Sequence, residues 1–387
     1  MASIVLPTAA GGTETYAIKN TPLPMPQGTP KFNRIAYAAT HIVADPRADN
    51  DSWLDAAIDW ERTIAFRHYL WDLGLGVAEA MDTAQRGMGL DWKGAQDVIR
   101  HALAAAKTRP GAVIASGAGT DHLMPGPDVT IDQVIRAYEE QIEFVESLGG
   151  RIILMCSRAL AKAAKGPDDY VKVYDRILSQ VKEPVIIHWL GEMFDPALAG
   201  YWGSADHMDA MNTCIDIIAA HSSKVDGIKM SLLSAEKEIV LRRRLPKSVR
   251  TYTGDDFNYA GLIAGDEHGY SDALLGIFDA IAPAASAALA KLADGDRKSF
   301  DAILAPTVPL SRHIFKAPTR FYKTGVVFLA YLNGLQDHFT MIGGQQSCRS
   351  LVHLSEIFRL ADAARMLRDP DKAADRMRKV LAVGGVG

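Results

Sequence analysis

Val185–Trp189 reads VIIHW and Gly227–Ser231 reads GIKMS. Each is a short apolar run without polar alternation, interrupted by one polar side chain, His188 or Lys229. A strand that is wet on one face alternates. A strand covered on both faces does not, and such strands belong to parallel sheets with helical crossovers. Six further runs of this kind flank the two: Arg34–Ala39 (RIAYAA), Gly74–Glu79 (GLGVAE), Ala112–Ser116 (AVIAS) and Arg151–Cys156 (RIILMC) before them, Arg250–Thr253 (RTYT) and Tyr270–Leu275 (YSDALL) after them. Between the runs lie helical patterns such as Asp91–Lys107, with Asp91 placed to cap it, and Ile131–Ser147. Eight buried strands alternating with helices predict an α/β fold, a (β/α)8 TIM barrel over residues 34–283. The competing open, doubly wound sheet lacks its mark, since no GxGxxG follows an early strand.

The rest of the chain flanks this barrel. Residues 1–33 are rich in Pro, Gly and Thr without a sustained period, and predict an N-terminal extended arm with room for a short hairpin. After Pro283 the strand-like runs end. Residues 284–387 read as C-terminal helices, with Ala284–Ala293, Asp296–Leu304, Tyr322–Leu335 and Leu351–Leu367 the clearest. They lack an obvious core of their own and are expected to pack on the barrel.

Composition narrows the function classes. The 387 residues are 48% hydrophobic and 23% charged with a net charge of −4, and basic residues cluster only at Arg242–Arg244, which argues against a nucleic-acid partner. Cys156, Cys214 and Cys348 form no CxxC pair, which fits a reducing compartment and neither a disulfide framework nor a structural zinc site. No apolar run reaches 18 residues, so no membrane span is expected. The first thirty residues lack a basic segment followed by an apolar one, so no signal peptide is expected and the expected location is cytoplasmic.

Reactive groups of a TIM barrel sit at the C-terminal ends of its strands. Those ends carry His41, Asp82, Thr83, Asp121, His122, Ser157, Arg158, His188, Glu192, Lys229, Asp255 and Asp256. Lys229 interrupts a strand that asks for burial, and desolvation lowers a lysine pKa, which supplies the free amine that attacks a carbonyl. Equally, a strand-end lysine can pair with Asp226 or Asp255. His188 reads as a general acid/base or as a hydrogen-bonded core histidine. Arg158 reads as a carboxylate clamp or a surface ion pair. Asp255 and Asp256 read as hydroxyl binders or, one of them, as a helix cap. Thr83 suits a substrate carboxylate or sugar oxygen as well as its own turn. Tyr252 and Tyr259 are available hydroxyls near the same end.

Several segments, in order and at comparable spacing, resemble the dihydrodipicolinate synthase and N-acetylneuraminate lyase superfamily of class I aldolases. Gly227-Ile228-Lys229 resembles the strand that carries that family's Schiff-base lysine, and Thr253-Gly254-Asp255-Asp256 resembles the S/T-G-D-D that ends its next strand. Gly269 to Pro283, followed by Asp294-Gly295-Asp296, resembles its last strand, helix and turn, so the likeness spans about residues 34–370. The resemblance implies a barrel with Lys229 as Schiff-base lysine and a homo-oligomer, dimer or tetramer. The departures are specific. Where the family has G-T-T-G-E for the carboxylate of pyruvate, this chain has Asp82-Thr83-Ala84-Gln85-Arg86, and only Thr83 matches. Where the family has a relay tyrosine, this chain has Met155-Cys156-Ser157-Arg158, and its Y-N-x-P is His188-Trp189-Leu190-Gly191. The expectation is a divergent, uncharacterised branch acting on something other than simple pyruvate.

The leading functional expectation is therefore a Schiff-base aldolase, lyase or dehydratase taking a small-molecule carbonyl substrate, a 2-keto acid or keto-sugar. Lys229 and His188 would be its catalytic residues, Thr83, Asp82, Ser157, Arg158, Asp255 and Asp256 its substrate-binding residues, and no cofactor is expected. A metal-dependent sugar isomerase or hydrolase is the alternative, with His41, His122, His188, Glu192 and Asp256 as strand-end ligands. A non-catalytic carbonyl-binding relative is the third reading.

Overall fold

A computed structural model describes residues 3–81 and 86–386 of the chain. Ser3–Pro7 (β1) and Thr13–Ala17 (β2) form an antiparallel hairpin. The next eight strands are Ala36–Ala39 (β3), Gly76–Glu79 (β4), Ile114–Ala118 (β5), Arg151–Leu154 (β6), Val185–Leu190 (β7), Val225–Ser231 (β8), Arg250–Thr253 (β9) and Asp272–Leu275 (β10). They pair in parallel and close into a barrel in the order β10-β3-β4-β5-β6-β7-β8-β9. Each of the eight predicted runs holds or overlaps one strand, and the TIM barrel is the fold.

Helices alternate with the strands: Trp60–Asp72 (α1), Trp92–Lys107 (α2), Ile131–Ser147 (α3), Arg158–Ala163 (α4), Pro167–Gln180 (α5), His207–Ala220 (α6), Ala235–Arg244 (α7) and Tyr259–Ala264 (α8). Their starts follow local chemistry. Asp91 accepts from the Gly94 amide to cap α2, and Thr130 with Gln133 makes a reciprocal capping box on α3. Extra helices follow β10: Ile277–Ala280 (α9), Ala282–Ala293 (α10), Arg297–Leu304 (α11), Thr307–Ile314 (α12), Tyr322–Leu332 (α13), Leu351–Ala363 (α14) and Pro370–Val383 (α15).

The chain divides into two compact units. One holds residues 34–40 and 76–275, and with them all eight barrel strands. Its interior is filled in layers by Tyr37, Ala78, Ala115, Ile153, Ile186, Tyr252 and Leu274, among others. Residues two apart on a strand share a face, so these positions fix which side chains point inward. The Tyr37 and Tyr252 rings meet edge to face with centroids 6.2 Å apart. Gly76 and Gly227 admit them, because a Cβ at Gly76 would lie 2.7 Å from the Tyr37 ring and one at Gly227 2.6 Å from the Tyr252 ring.

The second unit holds residues 1–33, 41–75 and 276–387. Its centre is α13, buried along its whole length and packed closely enough on α14 that a Cβ at Gly325 would lie 2.8 Å from Ile357 Cδ1. The N-terminal segment is tied to α14 of its own chain: the Tyr16 hydroxyl and the Lys19 and Asn20 amides all donate to the Asp362 carboxylate, at 2.7–3.1 Å.

Candidate active site

Lys229 lies on β8 with only 4% of its surface exposed. The parallel register pairs it with His188 on β7 and Tyr252 on β9. Paired residues face the same way, and Ile186 and Tyr252 point into the barrel, so His188 and Lys229 do too. Ser231, two residues further along β8, shares that face, and its Oγ lies 3.1 Å from His188 Nε2. Gly254 borders the same space: a Cβ there would fall on Ser231 Oγ and lie 2.8 Å from Lys229 Cε. That position needs glycine for its lack of volume, so that the lysine stem can pass. The site thus has an inward lysine, a histidine at its level and a hydroxyl just beyond, all three buried.

Tyr252 takes no part at this end. Its hydroxyl donates to Asp226 at 2.6 Å, near the start of β8, and burial together with that carboxylate pushes its pKa far up. Tyr259 is the first residue of α8 and is buried.

The other sequence-designated residues have particular engagements. Asp255 accepts from the Phe257 and Asn258 amides at 2.9 and 3.1 Å and from the Asn258 side chain at 2.8 Å, so both its oxygens shape the turn after β9. Asp256 beside it is buried. Ser157 caps α4 through the Leu160 amide and lies 2.5 Å from the Thr120 hydroxyl. Arg158 pairs through Nε with Asp195, its side chain a third exposed. Asp82 and Thr83 lie outside the described residues.

The metal-ligand set does not assemble. His122 bonds Gln141 at 2.8 Å and Glu140 at 3.2 Å. Glu192 bonds His207 Nε2 at 3.1 Å, whose Nδ1 lies 2.6 Å from Lys237 Nζ. Among the described residues, no three of His, Cys, Asp and Glu are grouped to hold a metal ion. His41 belongs to the second unit, inside a buried cluster. Its Nδ1 lies 2.9 Å from Asp279, its Nε2 lies 3.0 Å from Gln336, and Lys323 Nζ reaches the same aspartate at 3.5 Å. Burial would raise the Asp279 carboxyl, but the His41 and Lys323 charges outweigh it and hold it below its ordinary value.

Three features of the barrel unit had no sequence signal strong enough to single them out. Ser231 is one. Arg86 is another: its Nε and one terminal nitrogen hold both oxygens of Asp121 at 3.0 and 2.7 Å, and it also reaches the Ala80 and Gly117 carbonyls and Gln141. Burial pushes the Asp121 carboxyl up, and Arg86 together with the Gln141 and backbone hydrogen bonds more than reverses it. The third is Glu238 on α7, fully buried, which accepts from the Ser271 hydroxyl at 2.6 Å. Burial and the Asp255 charge push its carboxyl up to about 8 against the opposing hydrogen bonds of Ser271 and Thr253 and the charge of Arg242.

Residues 4–386 match the family described as a protein of unknown function, DUF993. The chain belongs to this family. No curated protein matches the DUF993 chain in sequence. Among solved structures, its fold is similar to the chloride-inhibited dihydrodipicolinate synthase of Acinetobacter baumannii in complex with pyruvate. The two share 14% identity at a TM-score of 0.62, over 86% of this chain and 99% of that one. It is similar also to YagE, a prophage protein of the dihydrodipicolinic acid synthase family from E. coli K12 with bound pyruvate, at 12% identity and a TM-score of 0.61, over 92% and 99% of the two chains. A third likeness is the dihydrodipicolinate synthase of Aquifex aeolicus, at 12% identity and a TM-score of 0.59, over 91% and 98%. The DUF993 chain thus resembles the dihydrodipicolinate synthase family in its barrel fold. Among its described residues, no helix is long and apolar enough to cross a membrane.

Proposed function

We propose that this chain is a class I lyase of the aldolase or dehydratase type, in which Lys229 forms a Schiff base with a 2-keto acid or keto-sugar acid. The observation that carries the proposal is the placement of Lys229: buried, inward-facing, and level with His188 at the C-terminal end of the barrel. The neutral amine of a lysine is the nucleophile that attacks a carbonyl. Once formed, the protonated imine draws electrons from the adjacent carbon, and a C–C or C–O bond next to it breaks heterolytically with the imine as electron sink. His188 is the nearest inward imidazole in register and takes the part of proton acceptor and donor. Pyruvate in two proteins of like fold supports a 2-keto acid as the reacting end. The altered Asp82–Arg86 segment supports a substrate with further polar groups.

The test is reductive trapping. The protein is incubated with borohydride and a panel of 2-keto acids and keto-sugars, and the reduced adduct is located by peptide mass. A single adduct on the peptide containing Lys229, absent in Lys229→Ala, is the expected result. No adduct with any carbonyl, or an adduct that persists in Lys229→Ala, overturns the proposal.

A further inference from the structure

We propose, resting on the Schiff-base reading of Lys229, that Ser231 is a positioning residue for proton transfer: it holds the His188 imidazole at the reacting end of Lys229. His188, Lys229 and Ser231 share the inward face, through the register pair His188–Lys229 and the two-residue step from Lys229 to Ser231. Ser231 Oγ and His188 Nε2 are 3.1 Å apart, and both side chains are buried, so water does not compete for the bond. The absent Cβ of Gly254 puts Ser231 Oγ and Lys229 Cε at the edges of one small volume. An imidazole can rotate about its side-chain bonds; a directional bond at Nε2 restricts that rotation, whichever of the two groups donates. The stretch that ends β6 has no tyrosine, and Tyr252 has its hydroxyl on Asp226, which leaves the histidine as the proton carrier in register with the lysine.

The step served is imine formation. The Lys229 Nζ lone pair forms a bond to the carbonyl carbon, and the carbonyl π pair moves to oxygen. His188 accepts the proton that Nζ loses and returns it to that oxygen, giving a neutral carbinolamine. A second proton, taken from solvent, lets the oxygen leave as water while the nitrogen lone pair forms the C=N bond, and the iminium keeps the positive charge. An imidazole free to swing away makes each transfer slower without changing the lysine itself.

The test uses the full chain with pyruvate and dihydroxyacetone as probes and cyanoborohydride as trap, from pH 5.5 to 9. The rate of adduct formation on Lys229 is followed for wild type, Ser231→Ala and Ser231→Thr, and the imidazole 15N signals of His188 are recorded for each. Positioned acid–base groups supply roughly 10²–10⁴-fold, so loss of positioning alone is expected to slow Ser231→Ala by about 10- to 100-fold. It is also expected to displace the pH profile and to move the Nε2 signal, while Ser231→Thr, which keeps the hydroxyl, recovers to within a few-fold. Equal rates and pH profiles for wild type and Ser231→Ala, with the adduct still on Lys229, overturn the positioning role and leave the lysine reading standing. Slow rates in both variants with an unchanged imidazole signal overturn it as well. A wild type that forms no adduct with either carbonyl, nor with any 2-keto acid or keto-sugar of the wider panel, removes the lysine reading, and this proposal with it.

Discussion

Glu238→Gln tests the buried carboxyl that joins α7 to the entry of β10. The Glu238 carboxyl is buried, with one oxygen on the Ser271 hydroxyl at the start of β10. Burial pushes it up to about 8 from an ordinary value of 4.5, with the Asp255 charge pushing the same way. Below pH 4.5 folded and unfolded chains both hold the proton, and the group does not affect the balance. Between 4.5 and 8 the unfolded chain releases its proton while the folded chain keeps it, so stability falls as pH rises, and the loss is complete above 8. At about 1.4 kcal/mol per pKa unit, the interval from 4.5 to 8 sets a ceiling of about 5 kcal/mol. Glutamine carries no charge at any pH, and whatever its amide costs in packing is the same at every pH. The stability of Glu238→Gln relative to wild type is therefore expected to rise by roughly 3–5 kcal/mol between pH 5 and pH 8.5. Urea unfolding at several pH values, followed by tryptophan fluorescence and far-UV circular dichroism, measures the difference, and coincident transitions license the two-state arithmetic. A gap that stays flat within about 1 kcal/mol across this range would refute the reasoning, because the acid would then ionise in the folded protein as it does in the unfolded chain.

Gly254→Ala places a methyl group on Ser231 Oγ and 2.8 Å from Lys229 Cε, with the Met230 carbonyl 2.9 Å away on the backbone. It is expected to cost about 1–3 kcal/mol through overpacking and to reduce adduct formation at Lys229 by more than about tenfold; normal thermal stability with normal trapping would contradict the close packing. Asp279→Asn leaves His41 and Lys323 buried without their shared counter-charge. The expected loss is about 3–5 kcal/mol, read from the denaturant midpoint at neutral pH, and an unchanged midpoint would show that the cluster is not ionic.

Most of the barrel was legible because a strand covered on both faces leaves an apolar run that survives any choice of loop. The boundaries slipped where small residues carry little signal. Ala112–Ser116 was the predicted run, and the strand is Ile114–Ala118, whose end is Gly117 and Ala118. In β8, Asp226 interrupts the pattern and hides the two residues before Gly227. Among the C-terminal helices, α12 was not singled out, and it carries prolines at 306 and 309. Both fall at or within its first turn, where a missing N–H is no loss. In α15, Asp369 caps and Pro370 opens the helix, a start signal that could have been read. Lys229 and His188 were legible as polar intruders in buried strands. Ser231, Gly254 and Glu238 were not, because their significance depends on the register between strands and on which helix covers which strand end, and neither is written within one segment.

Arg86 shows where the divergence is concentrated. An arginine has five N–H donors, and here five bonds engage them: two to the Asp121 carboxylate, two to the Ala80 and Gly117 carbonyls and one to Gln141. No donor is left for a ligand. The arginine that stands last in the Asp82–Arg86 segment is therefore a tie between the ends of β4 and β5 and the helix α3, and a substrate carboxylate must take its hydrogen bonds elsewhere. The lysine end of the barrel departs less: β8 keeps G-I-K, and the glycine of T-G-D-D clears the space beside the lysine stem. On the Schiff-base reading proposed above, a barrel that differs where the resembling family holds a carboxylate and matches at G-I-K supports a substrate other than pyruvate alone. Hydroxylated keto acids, rather than pyruvate alone, are thus the carbonyls on which the trapping panel should be weighted.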